Sequence, residues 1–281
     1  MTTVSEITKK TADLLQGIED PLVNAKLIVC HVLLIDKLEL LTNPNRTVSE
    51  KDVLKILELA NERNKGKPFS RIKGTKEFFG LEFKINEATL DPRQDTEVLT
   101  ETVLKETANK TDYKRILDLG TGSGCILLSL LHEMPFATGL GIDKSEKAIM
   151  QAKENAKLLG LDKRSDFKTG NWFDGIDEKF DIIVSNPPYI KSDDIKTLQK
   201  EVKDHDPIMA LDGGMDGLSA YKEIIPKIKS CLTEHGIAAL EIGFDQSESI
   251  QELLHQNNIS NFRMVKDLNG VDRVVLYSIE C

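Results

Sequence analysis

Apolar residues recur at helical spacing along the first part of the chain. Between Leu22 and Leu41 they fall at Leu22, Ala25, Leu27, Ile28, Val32, Leu33 and Leu34, and further on at Val53, Leu54, Ile56, Leu57 and Ala60. A stripe with that spacing covers one face of a helix and needs a partner to bury it. Polar breaks at Gly17–Pro21 and Thr42–Thr47 separate the stretches. Thr47 with Glu50, and Ser49 with Asp52, read as N-cap signals. The pattern predicts a small helical bundle over residues 1–68.

The period then changes. Glu77–Ile85, EFFGLEFKI, is aromatic and partly alternating, with Gly80 at its middle, which predicts a hairpin. The polar DPRQDTE that follows leads into a helix predicted over Glu97–Ala108. Residues 69–95 are therefore expected to form a hairpin hinge, and 96–281 a second domain. In that domain strands and helices alternate. RILDL is a strand, a glycine-rich turn follows, and Cys125–His132 is a helix; ATGLGID is a strand and Ser145–Leu159 a helix. SDFKT and FDIIVS are strands, Leu218–Leu232 a helix, GIAALEI a strand and Gln246–Gln256 a helix. Strands joined by crossover helices form a mostly parallel sheet. FRMVKDL and DRVVLYSI close the chain as an antiparallel pair. The fold class is α/β.

At 281 residues the chain fits one large domain or two ordinary ones. With 40% hydrophobic and 30% charged residues it reads as soluble and globular. The longest apolar run, in Ile126–Leu131, falls far short of a bilayer span. The N-terminus lacks the basic start, apolar stretch and cleavage site of a signal peptide. Cys30, Cys125, Cys231 and Cys281 form no C-x-x-C pair. They are read as reduced thiols of a cytoplasmic protein, with no disulfide framework and no metal site. The net charge of -9 counts against direct nucleic-acid binding, although a local basic patch could survive it.

The candidate chemistry starts at Asp118-Leu119-Gly120-Thr121-Gly122-Ser123-Gly124, after one strand and opening a helix. Glycines there let the backbone approach a ligand closely. The next strand ends at Asp143, where a carboxylate can accept the hydroxyls of an adenosine ribose; capping the following helix is the alternative role. Dinucleotide folds use G-x-G-x-x-G to seat a pyrophosphate. Here the spacing is G-x-G-x-G and an acid, Asp118, adjoins the turn. That disfavours a pyrophosphate and suits an ammonium group, which points to S-adenosyl-L-methionine.

FDIIVS runs straight into Asn186-Pro187-Pro188-Tyr189. Two prolines stop the strand and stiffen the loop, at the carboxyl end of a strand where open α/β sheets bind ligands. A carboxamide or aromatic amine nitrogen is a poor nucleophile because its lone pair is delocalised. The side-chain oxygen of Asn186 and the backbone oxygen of Pro187 can accept its hydrogens, and Tyr189 can stack on the planar group. No titrating base is required. The corner alone leaves nucleobase amines and protein amides both open.

Taken together, EFFGLEF, PRQDTE, ILDLGTGSG, GIDKS, KENAKLLG, GNWF, FDIIVSNPPYI, the Asp206–Leu218 stretch, LEIG and DLNGVDRVV closely resemble the release-factor glutamine methyltransferase family. The resemblance spans the catalytic part and the hinge; the helical N-terminus is similar in architecture more than in residues. It implies a Rossmann-like class I methyltransferase sheet with an N-terminal helical substrate-docking domain. It also implies methylation of the glutamine in the Gly-Gly-Gln motif of class 1 peptide chain release factors. By that resemblance Gly120, Thr121, Gly122, Ser123, Gly124 and Asp143 hold S-adenosyl-L-methionine. Trp172 flanks the adenine, Asn186 borders cofactor and substrate, and Asn186, Pro187, Pro188 and Tyr189 hold the glutamine. Asn186, Pro187 and Tyr189 are the expected catalytic set. Phe78 and Phe79 are placed either at the site or in the core. Asp91 and Gln94 depart from the family pattern I-P-R-P-D-T-E, which bears on the stiffness of the hinge. The rivals are an adenine-directed nucleic-acid methyltransferase, which should carry a basic substrate face, and a non-catalytic binding protein that kept the fold.

Overall fold

A computed structural model describes residues 1–108 and 115–278. The chain divides into two compact units: Met1–Gly74 with Gln199–His205, and Thr75–Leu198 with Asp206 onward.

The first unit is helical. It contains α1 (Val4–Leu14), α2 (Pro21–Leu33), α3 (Lys37–Thr42), α4 (Glu50–Asn64) and α5 (Phe69–Lys73). Thr3 and Glu6 form a reciprocal capping box on α1, and Ser49 caps α4 through the amide of Asp52. The apolar run Leu22–Leu41 is interrupted at Leu34, whose φ of 54° ends α2, and Asp36 caps α3. Ile7, Leu15, Ile28 and Ile56 are fully buried at the centre of this unit's own core. The boundary falls at Gly74 rather than at residue 68, because Phe69 and Ile72 of α5 pack on that core. The segment Gln199–His205, which the sequence reading had put in the other domain, also belongs here. Buried Arg63 pairs with its Glu201 at 2.7 Å.

The second unit opens with the antiparallel hairpin β1 (Thr75–Phe78) and β2 (Leu81–Lys84). The expected hinge 69–95 is thus divided, α5 going with one unit and the hairpin with the other. Then come α6 (Gln94–Thr107), β3 (Arg115–Leu119), α7 (Cys125–Glu133), β4 (Thr138–Asp143), α8 (Glu146–Leu158), β5 (Ser165–Thr169) and β6 (Phe180–Ser185). The chain contributes α9 (Lys200–His205) to the first unit, then continues as α10 (Ser219–Cys231), β7 (Leu232–Glu241), α11 (Ser247–Gln256), β8 (Phe262–Lys266) and β9 (Asp272–Ser278). Helix α6 begins at Gln94, earlier than expected, and Gln94 stands at the first helical position, where the family's proline would also fit.

The sheet order is β5-β4-β3-β6-β7-β9-β8. All pairings from β5 to β7 are parallel, and β9 runs antiparallel to both β7 and β8. Chain order reverses between β3 and β6, the switch point at which such sheets bind ligands beyond the strand carboxyl ends. Ile116, Ile182, Val184 and Ala239 face one apolar layer; Leu117, Ile183, Ala238 and Leu240 face the other. Burial on both faces explains why the central strands read as continuous apolar runs.

Candidate active site

The switch point joins the two sequence motifs directly. Leu119 and Ser185 end β3 and β6 side by side, and the Ser185 hydroxyl donates to the Leu119 carbonyl at 2.7 Å. The glycine turn and the Asn-Pro-Pro-Tyr corner therefore leave the sheet from adjacent points. Between them lies a cavity of about 550 Å³, within the usual range for a small-molecule site.

Eight of the expected residues line that cavity: Gly120, Thr121, Gly122, Ser123, Asp143, Trp172, Asn186 and Pro188. Gly124, Pro187 and Tyr189 are not among the lining residues. Gly124 is the N-cap of α7, with Leu128 and Ala152 against it. Pro187 is buried. Phe78 and Phe79 do not line the cavity either; Phe78 is buried in the core and half-buried Phe79 packs against it.

The turn is held from within. The amides of Gly120 and Thr121 both donate to the Ile142 carbonyl, at 2.8 and 2.9 Å. Gly120 has φ of 73°, and a Cβ there would stand 3.5 Å from the Trp172 ring, so glycine keeps the cavity open between turn and indole. Asp143 braces the turn, while Ser145 itself caps α8: the Asp143 Oδ1 accepts from the Ser145 amide and its Oδ2 from Gly122, each at 2.9 Å. Each oxygen keeps a lone pair for a ligand hydroxyl. Burial raises its pKa above the ordinary value, and the two amide bonds oppose the rise.

Asp118 is placed differently from the sequence reading. It is fully buried and absent from the cavity wall. Its Oδ2 accepts the Thr121 hydroxyl at 2.7 Å. Burial pushes its carboxyl up to about 7, with Thr121 opposing and Asp143 adding to the rise. An acid inside a central strand supports the turn rather than meeting an ammonium group.

The corner is clamped from two sides. The Gln246 side chain donates to the carbonyls of Tyr189 and Gly217, at 3.1 and 3.0 Å. The Ile190 amide donates to the Leu211 carbonyl at 3.0 Å and the Ile190 carbonyl accepts from the Gly213 amide at 2.8 Å, joining the corner to the start of the Asp212–Gly217 loop. A Cβ on Gly213 would meet the Tyr189 Cα at 2.8 Å and the Pro188 carbonyl at 2.9 Å, so no larger residue fits that approach. The Tyr189 hydroxyl donates to Oε1 of buried Glu241 at 3.2 Å. The Asn186 Nδ2 donates to the Thr96 hydroxyl at 3.0 Å, which leaves Asn186 Oδ1 as an acceptor on a residue of the cavity wall.

Sequence reasoning missed Thr96, Glu241, Gln246, Arg93 and Asp206 as parts of this site. Four of them lay inside a quoted motif and Gln246 opened a predicted helix, but the partner of each is distant in the chain. Asn155 is a similar case: it is fully buried and donates to the carbonyls of Lys84 and Ser123, tying the hairpin to the glycine turn.

Two family models match the chain: a methyltransferase domain over residues 110–269 and a PrmC N-terminal domain over residues 6–74. The release factor glutamine methyltransferase of Agrobacterium fabrum is 42% identical over 93% of this chain and 91% of its own length. That of Caulobacter vibrioides is 41% identical over 92% of this chain and 90% of its own. Among solved structures, the hMettl16 catalytic domain superposes with a TM-score of 0.57 at 14% identity, over 83% of each chain. The ribosomal protein L11 methylase of Lactobacillus delbrueckii subsp. bulgaricus reaches 0.51 at 20% identity, over 67% of this chain and 81% of its own. These two likenesses concern the fold. Among the described residues no helix is long and apolar enough to cross a membrane. With matching relatives along more than nine-tenths of its length and both domain models in place, the chain belongs to the release factor glutamine methyltransferase family.

Proposed function

We propose that this chain transfers a methyl group from S-adenosyl-L-methionine to the side-chain amide nitrogen of the glutamine in the Gly-Gly-Gln motif of class 1 peptide chain release factors, in the cytoplasm. The observation that carries the reading is Asn186. It lines the cavity beside the glycine turn, with its amide nitrogen bound to Thr96 and its oxygen left to accept.

The residues present fit the cofactor. The cavity is walled by the apolar Ile126, Ile142, Trp172 and Ala220 with a few carboxylates, Asp143 beside the glycine turn and Asp212 and Glu223 elsewhere on the wall, a lining suited to a nucleoside with free hydroxyls. Gly120, Thr121, Gly122 and Ser123 would hold its amino-acid end, Asp143 the ribose and Trp172 the adenine. When bound, S-adenosyl-L-methionine supplies an electrophilic methyl on a cationic sulfur. On the protein side, Asn186 Oδ1 and the Pro187 carbonyl accept the two hydrogens of the substrate amide. That draws electron density onto the nitrogen and fixes its orientation. Tyr189, anchored through its hydroxyl, limits the plane of the amide, and Pro188 walls the cavity against water. The helical unit of residues 1–74 docks the body of the release factor.

The test is incubation with isotope-labelled S-adenosyl-L-methionine and a purified release factor, followed by mass mapping. One labelled methyl on the Gly-Gly-Gln glutamine is expected. Label on another residue, or preferential labelling of adenine in added nucleic acid, would overturn the reading.

A further inference from the structure

Asn186 can serve as an acceptor only if its carboxamide is held one way round. Its oxygen and nitrogen have nearly the same shape, and a flip would turn two N–H donors toward a substrate that is itself a donor. What decides the orientation is the group on the other side, Thr96. A hydroxyl has one proton to give and lone pairs to receive with, so it holds the Asn186 nitrogen only when its own proton points elsewhere.

The structure supplies the elsewhere. Thr96, at the start of α6, is buried and neighbours the carboxyl of Glu241, the last residue of β7, whose buried Oε2 is satisfied by no hydrogen bond among the described residues while Oε1 takes the Tyr189 hydroxyl. Glu241 is 1% exposed. Around it are the Tyr189 hydroxyl on Oε1, Arg273 from β9, Asp95 from α6, and Tyr221 from α10, whose hydroxyl donates to the Glu241 main-chain carbonyl at 2.7 Å. Arg273 is itself shared with Asp267 at 3.1 Å and Asp95 at 3.3 Å, so it offsets Glu241 only in part.

We propose that Thr96 and Glu241 are positioning residues: the unpartnered Glu241 Oε2 is the acceptor toward which the Thr96 hydroxyl turns its O–H, so that the Thr96 oxygen accepts from Asn186 and Asn186 Oδ1 is left facing the substrate amide. The direction of the whole chain of hydrogen bonds follows from the charge on Glu241. Once protonated, Glu241 can donate to Thr96, the Thr96 proton turns toward Asn186, and the carboxamide flips to present donors. Burial pushes the Glu241 carboxyl up to about 7, opposed by Thr96, Arg273 and Tyr189 and reinforced by Asp95. The reversal therefore falls in an accessible pH range, with turnover rising as pH passes upward through that value.

This inference rests on the assignment of Asn186 as the amide acceptor. The experiment measures turnover against pH, at saturating cofactor and intact release factor, for the full-length wild type, Thr96→Val, Thr96→Ser and Glu241→Gln. Cofactor affinity is measured by calorimetry alongside. Wild type should lose turnover on the acid side of about pH 7. Thr96→Val should lose about tenfold on the plateau, the scale of one hydrogen bond, keep its cofactor affinity and show no acid limb of this origin. Thr96→Ser should recover most of the turnover and the limb, and Glu241→Gln should lose the limb. A Thr96→Val enzyme with wild-type turnover, or a limb unchanged in Thr96→Val or in Glu241→Gln, overturns the proposal. If Glu241→Gln does not fold, the threonine pair still decides. A wild type that methylates no glutamine at any pH would instead remove the underlying assignment of Asn186.

Discussion

Asp206 binds two stretches of the second unit that lie 113 residues apart in the chain: its carboxylate takes the Arg93 guanidinium and, at 3.3 Å, the Asp91 amide. The Asp206 side chain is 2% exposed. On one side Pro92, Arg93 and Thr96 line the cavity; on the other, Pro207, Ile208, Met209 and Ala210 do. The pair therefore ties the cavity's two loop walls together.

Asp206→Ala should loosen both walls. A buried acceptor of a charged donor contributes about 1.5–3 kcal/mol, and the loss should appear in urea unfolding together with weaker cofactor binding by calorimetry. Unchanged values in both measurements would show that the walls are held by something else.

Asp143 and Asn186 should separate binding from chemistry. Asp143→Ala should weaken S-adenosyl-L-methionine by roughly 1.5–3 kcal/mol, the range for hydrogen bonds to a charged group. Asn186→Ala should leave that affinity nearly intact and lower turnover by about 100-fold or more. Equal losses of affinity in the two variants would contradict the division of roles.

Gly213→Ala tests the clamp on the corner. The new methyl would overlap main-chain atoms of Tyr189, Pro188 and Gly217, at 2.8–2.9 Å. Backbone must then move, at a cost of about 1–3 kcal/mol, and turnover should fall further than cofactor affinity. A variant with wild-type turnover and melting temperature would mean the corner tolerates displacement.

Stability should decline with rising pH around neutrality. Asp118 and Glu241 are both raised to about 7, from 3.8 and 4.5. A raised folded-state value means that the fold binds the proton more tightly than the unfolded chain. The stability this contributes is fully present below the unfolded values and is lost as pH climbs through about 7. Unfolding free energies at about pH 5 and about pH 8 should differ less in Asp118→Asn than in wild type. An identical difference would be evidence that Asp118 is not protonated in the fold.

Removal of residues 1–74 should discriminate substrates. The specificity constant for intact release factor should fall by at least about tenfold, or ~1.4 kcal/mol, while transfer to a short Gly-Gly-Gln peptide changes little. Proportional loss on both substrates, in a variant still folded by circular dichroism, would make the unit part of the catalytic core.

The sequence by itself determined the class of molecule. The glycine turn, Asp143 and the Asn-Pro-Pro-Tyr corner are short-range signals: each encodes a backbone conformation within a few residues, so each is readable locally. The strand and helix alternation was readable for the same reason, and with it the parallel sheet and its antiparallel close; the strand order, and with it the switch point between β3 and β6, came only from the structure. Which side chains meet was decided only by the tertiary structure. Thr96 reaches Asn186 across 90 positions, Gln246 reaches Tyr189 across 57, and Asp206 reaches Arg93 across 113. No local period records such pairs, because hydrogen bonds in a buried site are set by which loops the sheet brings to one edge. Asp118 shows this from the other side. Its place next to the turn was plain, but whether it faced ligand or interior depended on the strands packed around it, and they turned it inward.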